Sequence, residues 1–179
     1  MQINYLTMFK IFTINNKKEA KFLRKKTADF DPLLLRDAKR RGEIIELVKK
    51  MREIMIATNG IGLSANQLGL NLKVFVVQIS KTQNVADNKQ YAIFNPEIIK
   101  FSKEKITMEE GCLSVPGVYG LVERPEKITL IGRDKYGKKV KIKAWGLLAR
   151  VFQHEVDHLN GILFIDRTKN IIKKIEASK

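Results

Sequence analysis

His154 and His158 are the only histidines in 179 residues, and they stand four apart with Glu155 directly after the first. Positions i and i+4 of a helix share one face, so a helix here lets both imidazoles reach a single ion. Glu155 can then handle protons on a water at that ion. The spacing is H-E-x-x-H, the pattern of metal-assisted amide hydrolysis. Two half-buried surface histidines would give the same string, so the motif alone leaves both readings open. Its neighbours agree with a helix over 146–160: Leu148, Val151, Phe152 and Leu159 form an apolar stripe, and Gly161 follows as the C′ residue.

A catalytic site of this kind needs a third protein ligand and an open position for water. The extension H-E-x-x-H-x-x-G-x-x-H fails, because Gly161 fits but Phe164 occupies the place of the third histidine. The only downstream glutamate is Glu176, in a lysine-rich tail of a kind prone to fray. Cys112 is the natural candidate upstream, since a thiolate is a strong ligand for iron or zinc. Gly111 before it allows close backbone approach, and Pro116-Gly117 is expected to turn the chain after it. Cys112 also reads as a small buried hydrophobe, the usual fate of a lone cysteine. Farther upstream lies Gly60-Ile61-Gly62-Leu63-Ser64-Ala65-Asn66-Gln67. It lacks the spacing of a phosphate loop, but the Gln67 amide is a neutral donor suited to an oxyanion.

The rest of the chain predicts an α+β domain. Apolar residues at Ile44, Leu47, Val48, Met51, Ile54 and Met55 give a helical period over 43–58, stopped by Asn59-Gly60. Residues 73–79 read as a buried strand and 81–90 as a polar hairpin loop. Short strands are expected at 91–94 and 98–101, around Pro96, and at 128–132 and 140–144, with a turn at 134–137. Three sections are expected: a basic lead-in over 1–26, a single catalytic domain over 27–168 and a short basic tail over 169–179.

Charge speaks to partners. With 34 Lys and Arg against 19 Asp and Glu, the net charge is +15, which draws a chain toward polyanions. No helix-turn-helix, zinc-finger spacing or RNP-type aromatic motif is present, so sequence-specific nucleic-acid reading is not expected. No apolar run approaches the roughly 18 residues of a membrane span, and no secretory signal is evident, although Met8 could serve as an alternative start. One cysteine excludes an intrachain disulfide and fits a reducing, cytoplasmic setting.

Three blocks together resemble peptide deformylase: the glycine-rich block ending in Gln67, Glu110-Gly111-Cys112-Leu113-Ser114, and Gln153-His154-Glu155-Val156-Asp157-His158-Leu159-Asn160-Gly161. The resemblance runs over roughly 27–168. Two positions depart from it: Ser64 stands where alanine is common, and Asn66 where proline or threonine is frequent. The resemblance implies antiparallel β-sheets packed around a central helix that carries the H-E-x-x-H motif. It implies removal of the formyl group from the N-terminal formylmethionine of new proteins, with release of formate. Cys112, His154 and His158 would hold one divalent metal, with Fe2+ expected and Zn2+, Ni2+ or Co2+ able to substitute. Glu155 would be the proton carrier, while the Leu113 backbone N–H and the Gln67 amide would stabilise the oxyanion. Backbone groups of Ile61 and Gly62 would pair with the peptide. Ile61, Ile128, Val151 and His154 are candidates for the methionine pocket, and Arg124 is read first as structural. Formylmethionyl nascent peptides are the expected partners, with electrostatic ribosome association and a monomeric state. Two rivals are a metallopeptidase using Glu176 and an RNA- or ribosome-binding protein on the same fold.

Overall fold

The computed structural model describes residues 9–79 and 89–173. The expected hairpin loop over 81–90, apart from its last two residues, lies outside them, as do Met8 and Glu176.

Helix α1 (Lys17–Leu23) opens the described chain, its N-cap Asn16 accepting from Lys18 N and Glu19 N. The first long helix, α2 (Ala38–Ala57), begins earlier than apolar periodicity suggests. Asp37 caps it by accepting from Arg40 N at 2.8 Å, which adds a polar first turn. Leu47, Val48, Met51 and Met55 form its buried stripe. The helix ends at Asn59, whose φ of 55° lets Asn59 N and Gly60 N bond back to Ile56 O and Met55 O.

Strands β1 (Gly62–Ser64), β2 (Val74–Ile79), β3 (Lys89–Phe101), β6 (Lys127–Arg133) and β7 (Lys139–Trp145) form one antiparallel sheet in the order β1-β2-β3-β6-β7. The apolar run in β2 serves two cores. Val74 and Val76 face α2, whereas Phe75, Val77 and Ile79 face the other side. β3 is one strand rather than the expected two. Asn95 takes a φ of 48°, its side chain bonds Phe30 N and O, and the ladder skips register between Phe94 and Glu97. Pro96 thus falls in a bulge, where no ladder N–H is needed.

A second sheet holds β4 (Lys105–Cys112), β5 (Val115–Pro125) and β8 (Ile171–Lys173) in the order β4-β5-β8. The turn between β4 and β5 is Leu113-Ser114, not Pro116-Gly117 as the sequence suggests. Gly111 pairs with Tyr119 and Cys112 with Val115, so 116–118 bulge out of the ladder with β4 instead.

Helix α3 (Gly146–Leu159) runs between the sheets. Its apolar side, with Ala149, Phe152 and Leu159, packs on Phe75, Ile128 and Leu130. Arg150, Gln153, Glu155, Asp157 and His158 are buried too, so the helix is enclosed well beyond its apolar stripe. Gly161, at φ 76°, closes it: Gly161 N bonds His158 O and Ile162 N bonds Asp157 O. The described part of the lead-in packs beside these elements, with Phe12 N on Gln67 O and Ile14 N on Ser114 O.

Candidate metal centre

Cys112 ends β4, and His154 and His158 project from one face of α3. The Cys112 Sγ lies 3.1 Å from His158 Nε2, and the two histidine Nε2 atoms lie 3.2 Å apart. All three donor atoms fall within 4.8 Å of one another. A tetrahedral ion with ordinary metal–sulfur and metal–nitrogen bonds sets such edges at about 3.6 and 3.3 Å. The donor set therefore fits a divalent metal.

The charge balance agrees. Burial opposes ionisation of Cys112, but His158 and His154 outweigh it and hold the thiol well below its ordinary value. Burial likewise opposes protonation of His154, but Cys112 and Glu110 outweigh it and raise the imidazole to about 10. A thiolate beside the raised His154 imidazole outlines a cation site that a divalent ion suits.

Behind the donors lies a buried ionic scaffold that motif reading missed. His154 Nδ1–H donates to Glu110 Oε2 at 2.9 Å, which fixes the tautomer that turns Nε2 toward the ion. Glu110 also accepts from Arg124 Nε and Nη2 and from Arg150 Nη1. Arg124 continues to Asp157 Oδ2 at 2.6 Å, so its expected structural part matches what it touches. Burial works against the Glu110 charge, yet His154 and Arg124 keep its carboxyl well below the usual range. A signal existed in the sequence. Glu110 is two residues before Cys112 on a strand and Arg150 four before His154 on a helix, so each shares a face with a ligand.

Glu155 is 3% exposed, and burial pushes its carboxyl above the ordinary value. It accepts from Ser64 Oγ at 2.6 Å. Gln67 is buried at the foot of β1, with Nε2 3.1 Å from Ser114 Oγ and 3.6 Å from Cys112 Sγ. The Leu113 N–H has no hydrogen-bond acceptor among the described residues. Asn66 Nδ2 donates to His158 O at 2.6 Å, tying the Gln67 segment to the ligand helix.

These groups border a cleft of about 520 Å³ that Ile61, Gly62, Gln67, Cys112, Leu113, Val151, His154 and Glu155 line. Ile128 is not among its walls. It faces the core under α3 at 3% exposure, because its position on β6 points away from the cleft.

A family model described as polypeptide deformylase matches residues 8–174. The chain belongs to the polypeptide deformylase family. It is a metal-dependent amide hydrolase that removes the N-formyl group from nascent peptides. Peptide deformylase of Carboxydothermus hydrogenoformans is 45% identical over 148 residues, which is 80% of this chain and 92% of that protein. Among solved structures, a probable peptide deformylase from Synechococcus phage S-SSM7 superposes with a TM-score of 0.76 at 40% identity, covering 90% of this chain and 100% of that one. A class I type b peptide deformylase from Acinetobacter baumannii, solved with Met-Ala-Ser bound, gives 0.78 at 32% identity, covering 90% and 99%. The match to the family model takes in the described lead-in, beyond the 27–168 that the motif blocks suggest.

Proposed function

We propose that Cys112, His154 and His158 hold one ferrous ion, and that Glu155, Gln67 and Leu113 carry the chemistry of formyl removal. The observation behind this reading is the three-donor cluster at the wall of a cleft that a buried carboxylate also lines. When bound, the ion supplies Lewis acidity that makes water nucleophilic at neutral pH, and zinc, nickel or cobalt can stand in for iron.

The protein's own groups do the rest. Glu155 takes a proton from the attacking water and returns one to the leaving amine. Its upward shift suits a group that must both accept and give that proton. The Leu113 N–H and the Gln67 amide donate to the oxygen of the formyl group as charge builds there. β1 is the edge strand of its sheet; the Ile61 carbonyl is taken by Gln78 N, and the Ile61 N–H and the Gly62 backbone groups are the ones proposed to pair with an extended peptide. Ile61 and Val151 give the cleft apolar wall for a methionine side chain. Met-Ala-Ser bound to the Acinetobacter protein is what remains of a formylated Met-Ala-Ser after deformylation, which supports the same peptide class here.

The catalytic unit is proposed to span 27–168, with the described lead-in supporting the Gln67 and Ser114 segments. The three metal donors all come from one chain, so the proposed chemistry needs no second copy. No described helix is long and apolar enough to cross a membrane. A lone cysteine and an oxidation-prone ferrous–thiolate centre support a reducing, cytoplasmic setting.

Metal content tests the ligand set. Anaerobically purified protein should carry one iron per chain, and Cys112→Ala, His154→Ala and His158→Ala should each carry less than about a tenth of that. A Cys112→Ala variant that keeps its ion would make the cysteine a bystander and favour a peptidase-type ligand set.

A further inference from the structure

Alternate residues of a strand face opposite ways, and β1 uses this to serve two partners. Leu63 turns into the core under α2. Gly62 and Ser64 turn toward Glu155 of α3. Ser64 is fully buried. Its hydroxyl lies 2.6 Å from Glu155 Oε2 and 3.1 Å from the Glu155 backbone O. A hydroxyl has one proton, and the shorter, charge-assisted bond takes it. The second carboxylate oxygen, Oε1, has no hydrogen-bond partner among the described residues. It lies against Gly62, where a Cβ would overlap it and come within 2.9 Å of Glu155 Cδ.

Ser64 also has a backbone part in the site. Its N–H donates to Gln67 Oε1 at 2.8 Å, which turns Nε2 toward Cys112 and Ser114. Any residue except proline supplies that bond, whereas only a hydroxyl supplies the bond to Oε2.

We infer that Ser64 is a positioning residue for deformylation: its hydroxyl fixes the Glu155 carboxylate and leaves Oε1 to receive and return the proton. This rests on Glu155 being the proton carrier. A glutamate side chain has three soft torsions, and proton transfer requires the oxygen within hydrogen-bond reach of the reacting group. Ser64 keeps its own proton throughout, donating to Oε2 whether Oε1 is bare or protonated. A hydroxyl that only satisfied a buried carboxylate would change stability and leave the chemical step alone.

Ser64→Ala, Ser64→Thr and Glu155→Ala, each metal-loaded, separate these cases with formyl-Met-Ala-Ser as substrate. Ser64→Ala should lower kcat at least about tenfold, with KM within about twofold and metal content unchanged. Ser64→Thr, which keeps the hydroxyl, should recover most of kcat. In the Glu155→Ala background, Ser64→Ala should change the residual rate by less than about twofold, because it acts through Glu155. The inference is overturned if Ser64→Ala keeps kcat within about twofold of the parent. It is also overturned if rate and metal content fall in parallel, or if the loss is as large without Glu155. Full activity in Glu155→Ala would instead remove the proton-carrier reading itself.

Discussion

Glu110 touches no substrate in this account, yet it accepts from His154, Arg124 and Arg150 within a buried network. Removing one partner of a buried ion pair costs about 3–5 kcal/mol, because the others stay behind uncompensated. Loss of a carboxylate behind a ligating histidine also weakens metal binding by roughly 10–100-fold. Glu110→Gln should show both effects, read by denaturant unfolding and by competition with a metal chelator. The sign of the pH dependence follows from its lowered carboxyl. A depressed folded-state value gives stability that is present above the ordinary carboxylate range and lost as pH falls through the folded value. The gap between wild type and Glu110→Gln should therefore be widest near neutrality and narrow in acid below about pH 4. An equal gap from pH 7 to pH 3 would contradict the network. The three clustered donors and the proposed proton carrier were legible at this scale because they sit in short strings of fixed spacing. The Arg124 part of the scaffold was not, because Arg124 meets Glu110 and Asp157 only through the fold.

The helices show which elements a sequence announces. α2 and α3 were readable from apolar periods and their stops, and both end in the same backbone motif at Asn59 and Gly161. The β4–β5 hairpin was not. Adjacent charges, Glu109-Glu110 in β4 and Glu123-Arg124 in β5, break any two-residue alternation, the turn Leu113-Ser114 has no glycine or asparagine, and Pro116-Gly117 offers a stronger turn signal three residues late. Two glycines test the helix account with opposite signs. Gly161 needs a left-handed backbone, and a Cβ there would overlap Arg24 O. Gly161→Ala should destabilise by at least ~1 kcal/mol and loosen the end of α3 directly after His158. Gly42 lies within α2 with open space where a Cβ would sit, so Gly42→Ala should stabilise by about 0.4–1 kcal/mol. Urea midpoints of the two variants on the same side of wild type would refute this.

At the scale of the molecule, the fold brings Cys112 of one sheet to the two histidines of the enclosed α3, and Gln67, in the turn that follows β1 of the other sheet, to Cys112. That convergence depends on long-range packing, so the sequence offered the ligands by resemblance and spacing but not the walls of the cleft, as Ile128 illustrates. The net charge of +15 belongs to this scale too. β7 turns Lys139, Lys141 and Lys143 to solvent, with no described carboxylate in ion-pair contact. We propose electrostatic association with ribosomes, whose RNA is anionic. Co-sedimentation should weaken steeply between about 50 and 200 mM salt, and weak binding indifferent to salt would end the proposal. The central claim is a formyl-amide hydrolase with Glu155 as proton carrier. Its most direct test is formate release from formyl-Met-Ala-Ser by anaerobically prepared, iron-loaded protein, beside Glu155→Ala at equal metal occupancy. The account predicts rapid release by wild type and a loss of at least about a hundredfold in the variant. No release at confirmed occupancy, or equal release by both proteins, would contradict it.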